Sequence, residues 1–526
     1  MSINKVTYKG ILNDLNVGNS VAELDSILES ARVETPIFDG VLTDRYDIIL
    51  GRKGAGKTAM FKILNILSPI LRRQKLVILS GVNVSGEAIF NQFKKELALF
   101  SEREFETFWK FYFVTLIYND FLKNEKFSQD LENCEAEIRK FVAECEKAGI
   151  PNIPAQQKRS QMIAWILNAI PKGIKSISAE VEVDSNTPTL FKIKPEVVFD
   201  SLSTKEKHND TSVESLHVQD ICEALRNILI KSGLKIWILL DRLDEVFDRY
   251  SRVEFRGLRG LLTAYKNFVI DDGEKILRIK LFLRDDIVDF LTDSTIYKAY
   301  FKNQEISPLP AATHIFAKQS PTLNWDEDEI EQLVLNRLLL SAKLRTFVEI
   351  PELSADEEIR ALLRTKGQRL SYWNMIFPET ISSSPSLKWI FTRLKDGNDI
   401  VTPRSVIDTL EGAIDYQKRK LALDFKDCEE IFSLDSIKNG LKTASINKLE
   451  KDIFNEFPKD QESIKILGRE GKIKLKKSEL RSIYGKNWEQ TVSNLKRIGI
   501  IQYVKDSDTY RVVQLFRPAL HMAYSS

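Results

Sequence analysis

One stretch constrains this chain more than any other: Tyr46-Asp-Ile-Ile-Leu-Gly51-Arg52-Lys53-Gly54-Ala55-Gly56-Lys57-Thr58-Ala59. A short apolar run ends at Gly51, and a helix-forming run starts at Ala59. Between them lies G-x-x-x-x-G-K-T in the strand–loop–helix setting that a phosphate-binding loop requires. Gly51, Gly54 and Gly56 let the backbone turn tightly and approach phosphates where side chains would collide. The N–H groups of the loop, from Arg52 and Lys53 through Ala55 to Ala59, then face an anion at a helix N-terminus, and the helix dipole adds to the attraction. Lys57 supplies a point charge for the β- and γ-phosphates, and the Thr58 hydroxyl is suited to hold Mg²⁺. The expected ligands are ATP and Mg²⁺.

A second motif depends on the first. Lys235-Ile-Trp-Ile-Leu-Leu-Asp241-Arg-Leu-Asp244-Glu245 is a continuous apolar run ending in carboxylates. Such a run reads as a strand buried on both faces of a parallel sheet, and its acidic end lies at the carboxyl edge beside the phosphates. Asp241 is the candidate to hold Mg²⁺, directly or through water. Glu245, with Asp244 beside it, is placed to orient and polarise an attacking water. A third run, Lys275 to Leu283, ends in Arg284-Asp285-Asp286. Arg284 either reaches the γ-phosphate or pairs with one of the two neighbouring acids.

The rest of the chain is organised around these motifs. A length of 526 residues allows three or so domains, taking roughly 150 residues for each. Lys and Arg number 77 against 75 Asp and Glu, so any nucleic-acid surface has to be a local patch. The four cysteines and four histidines are scattered without metal-ligand spacing. That usage, with no apolar leader and no apolar run of membrane-spanning length, predicts a cytoplasmic protein, neither secreted nor membrane-spanning.

In the first 45 residues, Val21 to Ser30 has helical spacing and Pro36-Ile-Phe-Asp-Gly reads as a turn. This lead-in either touches a base or only packs beside it. Lys75 to Ser80 reads as a short buried strand, and the chain from Glu87 to about Asn168 as mostly helical. Its aromatic run Phe105 to Tyr118 reads as a buried core helix. Ile177 to Val198 reads as a hairpin and Ser201 to Ser212 as a polar loop. Trp325-Asp-Glu-Asp-Glu opens a helix with an acidic first turn. Pro403 sits at a first helical position, so Arg404 projects from a helix N-terminus. It either makes a second contact to the nucleotide or is structural.

The last segment changes character. Leu475 to Tyr484 reads as one helix and Trp488 to Ile498 as a second, followed by a hairpin from Gly499 to Val513. That order is a winged helix. Between Lys472 and Arg517 stand eleven basic residues against four acids, which suits a phosphate backbone. The module either binds DNA or packs on the core or a partner.

Taken together, the phosphate loop, the strand ending Asp241-Arg-Leu-Asp244-Glu245, the strand ending Arg284, Pro403-Arg404 and the C-terminal module resemble the STAND/AAA+-like P-loop ATPases. That broad class contains initiator-type and NACHT-type members. The chain is similar within it to bacterial ATPases with a large insertion after the loop, several of them associated with phage defence. The resemblance is strong at the loop, good over 230–410 and by pattern only in the winged helix. It implies that Arg284 and Arg404 are first and second nucleotide sensors. With no nuclease, protease or TIR-like constellation in the chain, it also implies an effector on another protein chain, and it leaves room for a homo-oligomer.

The expected fold class is α/β, a P-loop NTPase core with a parallel sheet. The core spans 1–86 and 216–320, with a mostly helical insertion at 87–215, a helical lid at 321–445 and the winged helix at 446–526. The leading function is an ATP-hydrolysing switch that regulates a partner. The alternative is a DNA-binding regulator in which the nucleotide is mainly structural.

Overall fold

The apolar runs become the strands of one sheet. β1 (Ile48–Leu50), β2 (Leu76–Ser80), β3 (Lys235–Leu240) and β4 (Leu277–Leu283) form a parallel four-stranded sheet in the order β1-β4-β3-β2. β1 and β4 pair in the register Ile48↔Leu281, Ile49↔Phe282, Leu50↔Leu283. The fold is α/β. The computed structural model describes residues 7–81, 93–122, 124–147, 163–164, 166–167, 213–243, 251–268, 276–292, 320–350, 356–423 and 430–522. Asp244, Glu245, the expected hairpin at 177–198 and the polar loop at 201–212 lie outside the described residues.

The chain divides into two compact units. The first holds Met1–Asn91, Ile236–Phe255 and Arg278–Ser526, and contains the sheet and the C-terminal helices. The second holds Gln92–Lys235 and Arg256–Leu277.

Central strand β4 is buried along its whole length although it carries Arg278 and Lys280. The alternation of a strand sends Arg278, Lys280 and Phe282 to one face. The Lys280 ammonium lies over the Trp237 ring at 4.2 Å, donates to Asp47 at 2.8 Å and to the Tyr46 carbonyl at 3.0 Å, and pairs with Asp44. A fully buried ammonium is tolerable only with such compensation. On the β1 side, Leu50 donates to the Pro321 carbonyl at 2.9 Å and accepts from Leu323 at 2.8 Å, which lays residues 321–323 along the end of β1.

The lead-in folds differently from its sequence pattern. Val21 to Ser30 forms only a 3₁₀ turn, Ala22–Leu24, and Pro36–Leu42 is the helix. The Asp25 carboxylate accepts from the backbone N–H groups of Asn19 and Ile27, which diverts that stretch from a helical ladder. Thr35 caps the true helix by accepting from Phe38, with Pro36 in its first turn.

The first helix, Tyr8–Asp14, and the helices of the first unit after Glu327 share one apolar core. It runs from Ile11 and Leu12 through Leu335, Trp373, Phe377, Leu410 and Phe432 to Leu467, Leu495 and Phe516. The helix Glu327–Leu338 starts in a capping box, Asp326 with Glu329, as its acidic first turn requires. Trp373, Phe377 and Phe432 stack in a row at 4.3 and 4.7 Å. A hairpin of β5 (Thr380–Ile381) and β6 (Ser384–Pro385) precedes the helix Ser386–Leu394. The helices Pro403–Leu423 and Leu434–Asn447 then pack closely through Gly412 and Gly440.

At the C-terminus the order is helix Gln461–Glu470, β7 (Lys474–Lys476), helices Lys477–Tyr484 and Trp488–Ile498, then β8 (Ile501–Val504) and β9 (Thr509–Val512). The small sheet is antiparallel, ordered β7-β9-β8. Leu475 is a strand residue rather than the first of a helix: it is buried opposite Tyr510 while Lys474 and Lys476 face out. Two-residue alternation outweighs helical spacing over these three positions.

In the second unit the aromatic run forms the helix Glu102–Ile117, capped by Ser101 and Glu104, with Phe105, Phe108, Trp109, Tyr112 and Phe113 buried. The Trp109 indole donates to the Gly257 carbonyl at 3.0 Å. Burial pushes the Cys145 and Cys222 thiols up to about 12, so neither is a ready nucleophile. Among the described residues no helix is long and apolar enough to cross a membrane.

The closest helix contact gives a test. A Cβ added at Gly440 would stand 2.1 Å from the Thr409 carbonyl oxygen. Gly440→Ala is expected to cost about 2–3 kcal/mol, seen as a lower melting temperature and urea midpoint. An unchanged midpoint would show that the two helices separate freely.

Candidate functional site

The glycine-rich loop from Gly51 to Thr58 is held from several sides. Gly51 N–H donates to the Leu283 carbonyl at 3.1 Å, fixing the end of β1 against β4. Gly54 and Gly56 adopt φ of +82° and +104°, which favours residues without a Cβ. A Cβ at Gly54 would also approach the Arg404 side chain to 3.1 Å. The helix Lys57–Ile66 begins directly after Gly56, so its first N–H groups point out of the turn. The Trp325 indole donates to the Ala55 carbonyl at 2.8 Å. Lys57 Nζ donates to the carbonyls of Gly51 at 2.6 Å and Arg52 at 3.0 Å.

A cavity of about 450 Å³ opens over this loop. Lys53, Gly54, Ala55, Gly56, Lys57, Thr58 and Ala59 line it, joined by Asp241 from the end of β3, Arg284 from the end of β4 and Arg404 from the helix N-terminus. The lead-in adds apolar residues, Leu28, Ala31, Val33 and Phe38, and polar ones, Asp25, Arg32 and Thr35, and Ile63, Leu323, Leu333 and Arg337 complete that part of the lining. Gly51 and Arg52 are not in the lining. Arg52 turns to Asp396, at 3.1 Å, and to Asp285, at 3.5 Å. Burial pushes the Asp396 carboxyl up, against the pull of Arg52.

Arg284 and Arg404 both line the cavity and both hold carboxylates. Arg284 makes paired bonds to Asp286, at 2.9 and 3.2 Å, and to Glu456, at 2.6 and 3.2 Å. Burial works against its charge, but Asp286 and Glu456 more than offset that and hold it above its usual range. Arg404 donates to Asp452 at 2.7 Å and to the Ser20 carbonyl at 3.4 Å. Arg284 thus takes one of the two partners expected from its neighbours, Asp286, and one that local sequence could not reveal. Asp285 instead lies against Arg52.

Several lining residues escaped the sequence reading. Trp325 stands 270 positions from the carbonyl it binds, and Glu456 stands 172 from Arg284. Glu254, buried in the helix Arg252–Phe268, brings a further carboxylate to the cavity. A Glu in a helix whose polar and apolar residues alternate regularly carries no signal of its own. Asn19 to Phe38 did carry one, the usual place of a lead-in before the first strand.

The donor set fits a magnesium nucleotide. Thr58 and Asp241 offer hard oxygens to the same cavity, and Mg²⁺ is commonly held by one or two protein oxygens together with phosphates. Among the described residues no group of three or more His, Cys, Asp or Glu side chains forms a metal site of another kind.

No protein-family model matches the chain, and no curated protein matches it. Among solved structures, the chain is similar to the Aeropyrum pernix ORC2 protein in its ADPNP-ADP complexes, at 11% identity over 92% of each chain with a TM-score of 0.27. A superposition of that quality establishes no relationship, and the reading of the site rests on its own geometry.

The pair that braces the lead-in can be tested without a ligand. Arg337, itself buried, donates to Asp25 at 2.6 Å and to the Val17 carbonyl at 2.6 Å. Asp25→Ala leaves that guanidinium buried without its counter-charge and is expected to cost about 3 kcal/mol or more. Urea unfolding measures the loss, and a cost under about 1 kcal/mol would mean that water reaches Arg337.

Proposed function

We propose that this chain is an ATP-binding and ATP-hydrolysing switch of the STAND/AAA+-like class. One observation carries the reading. A loop with two left-handed glycines opens into a cavity where Thr58, Asp241, Arg284 and Arg404 converge, and apolar residues, Leu28, Phe38, Ile63 and Leu333, also line that cavity. Loop amides and Lys57 bind the phosphates. Thr58 and Asp241 hold Mg²⁺, which neutralises phosphate charge when bound. Apolar lining residues, Phe38 and Leu333 among them, accept a purine ring. Asp244 and Glu245 follow Asp241 by three and four residues, and Glu245 orients the attacking water. Arg284 and Arg404 sense the γ-phosphate from the sheet edge and from the lid.

In this reading 1–86 and 216–320 form the nucleotide core, 87–215 an insertion, 321–445 the lid and 446–526 a winged helix. The resemblance to phage-defence ATPases makes an effector chain the expected partner, in an assembly that includes homo-oligomers, in the cytoplasm.

A second reading has an observation of its own. Lys472, Lys474, Lys476, Lys477, Arg481 and Lys496 are exposed on the C-terminal module, as a DNA backbone would require. Arg517 does not belong to that surface; it is buried and donates to the Val512 carbonyl at 3.0 Å. A DNA-binding regulator would bind duplex with a salt slope near −0.9 per phosphate contact. A switch would turn over ATP without DNA.

The primary reading is tested by two substitutions. Lys57→Ala is expected to weaken ATP binding at least ~tenfold, about 1.4 kcal/mol, by calorimetry. Wild-type affinity in that variant would refute the loop assignment. Glu245→Gln is expected to keep binding while turnover falls by a factor on the order of 10². Normal turnover there with loss in Asp244→Asn would exchange the roles of the two acids.

A further inference from the structure

Asp452 and Glu456 stand four residues apart on one helix and engage three of the cations that line the cavity. Asp452 takes Arg404 at 2.7 Å and Lys53 at 3.4 Å. Glu456 takes Arg284 at 2.6 Å and Lys53 at 3.9 Å. Lys448, four residues before Asp452, lies 3.4 Å from it and donates to the Lys53 carbonyl at 3.3 Å, so the same helix also grips the phosphate loop's backbone. Asp452 is almost wholly buried; burial alone would raise its carboxyl, yet Lys448, Arg404 and Lys53 hold it below the usual range.

The carrier is unusual. Leu434–Asn447 continues without a break into a π-helical turn, Lys448–Ile453, and then Phe454–Glu456. A π-turn in a helix is costly to keep and frequently marks a working segment. Here it falls on the stretch that brings Lys448 and Asp452 to the loop.

We propose that Asp452 and Glu456 form a carboxylate latch that occupies the cations a γ-phosphate would use. A triphosphate gains Arg284 and Arg404 only by drawing them off these carboxylates. A diphosphate, which reaches the loop amides and Lys57, leaves the latch shut. This rests on the nucleotide reading above and adds to it the element that tells the two nucleotides apart.

The charge balance sets the direction. Two carboxylates and the γ-phosphate compete for the same guanidinium groups, and like charges brought together there repel. The γ-phosphate therefore favours a state in which the final turns, Lys448–Ile453 and Phe454–Glu456, have parted from these cations. A ligand shifts such an equilibrium only by its different affinity for the two states, and only the triphosphate has that difference. Arg284 keeps Asp286 in both states, which spares it from standing alone in a buried position.

The experiment is calorimetric titration of the full chain with Mg²⁺ and either a non-hydrolysable ATP analogue or ADP. The proteins are wild type, Glu456→Gln and Asp452→Asn. Opening the latch by substitution is expected to tighten the triphosphate by ~tenfold and to change ADP by less than ~twofold. Equal gains for both nucleotides, no gain, or weaker triphosphate binding would overturn the latch. Amide hydrogen exchange on the wild type guards against a variant that fails to fold. The triphosphate should speed exchange over residues 448–456 and ADP should not; unchanged or slower exchange with the triphosphate overturns the proposal. If the wild type binds neither nucleotide, the reading of the site falls and the latch with it, whereas binding without the predicted asymmetry removes the latch alone.

Discussion

A tight turn with two left-handed glycines has little of its own to hold it in shape. Here the turn between Gly51 and Lys57 is fixed by neighbours from distant parts of the chain. The Leu283 carbonyl holds Gly51, the Trp325 indole holds the Ala55 carbonyl, and Lys448 reaches the Lys53 carbonyl. Lys57 closes the ring by donating to the Gly51 and Arg52 carbonyls. Each of these contacts satisfies a polar group that burial would otherwise penalise. The cavity, the convergence of Asp241, Arg284 and Arg404, and the approach of the lead-in all follow from that bracing.

The buried charges of the sheet obey the same rule. Lys280 lies at the centre of the core strand, where an ammonium group is tolerable only with Asp44, Asp47 and the Trp237 ring around it. This fixes the approach to β1 as well, because Asp44 and Asp47 flank the turn into that strand. The start of β1 and the middle of β4 are thus tied by charge as well as by strand pairing.

Much of this was legible in the sequence, and the parts that were not share a cause. The glycine turn before the helix Lys57–Ile66, the four strands and the helix opening at Pro403 each rest on local signals, namely glycine spacing, unbroken apolar runs and a proline at a helix start. The lead-in was misread because Asp25 spends its carboxylate on the backbone and on Arg337, a partner 312 positions away. β7 was misread because three residues are too few for periodicity to separate strand from helix. The partners of Arg284 and Arg404 were half hidden for the same reason: Asp286 is two residues from Arg284, while Glu456 and Asp452 come into reach only through the tertiary fold. Local chemistry is written locally, and pairing across the fold is not.

The apolar core that joins the helices after Glu327 to the C-terminal module has a mechanical meaning. Ile11, Leu410, Phe432, Leu467 and Phe516 belong to one continuous packing, so no slip plane separates the helix bearing Arg404 from the small antiparallel sheet. Close-packed interiors transmit displacement rather than absorb it. A tilt of the helix at Pro403, pivoting where it meets Gly54, therefore swings the whole C-terminal assembly as a lever, and a shift of ångström size at the loop becomes a larger sweep at the exposed basic tip.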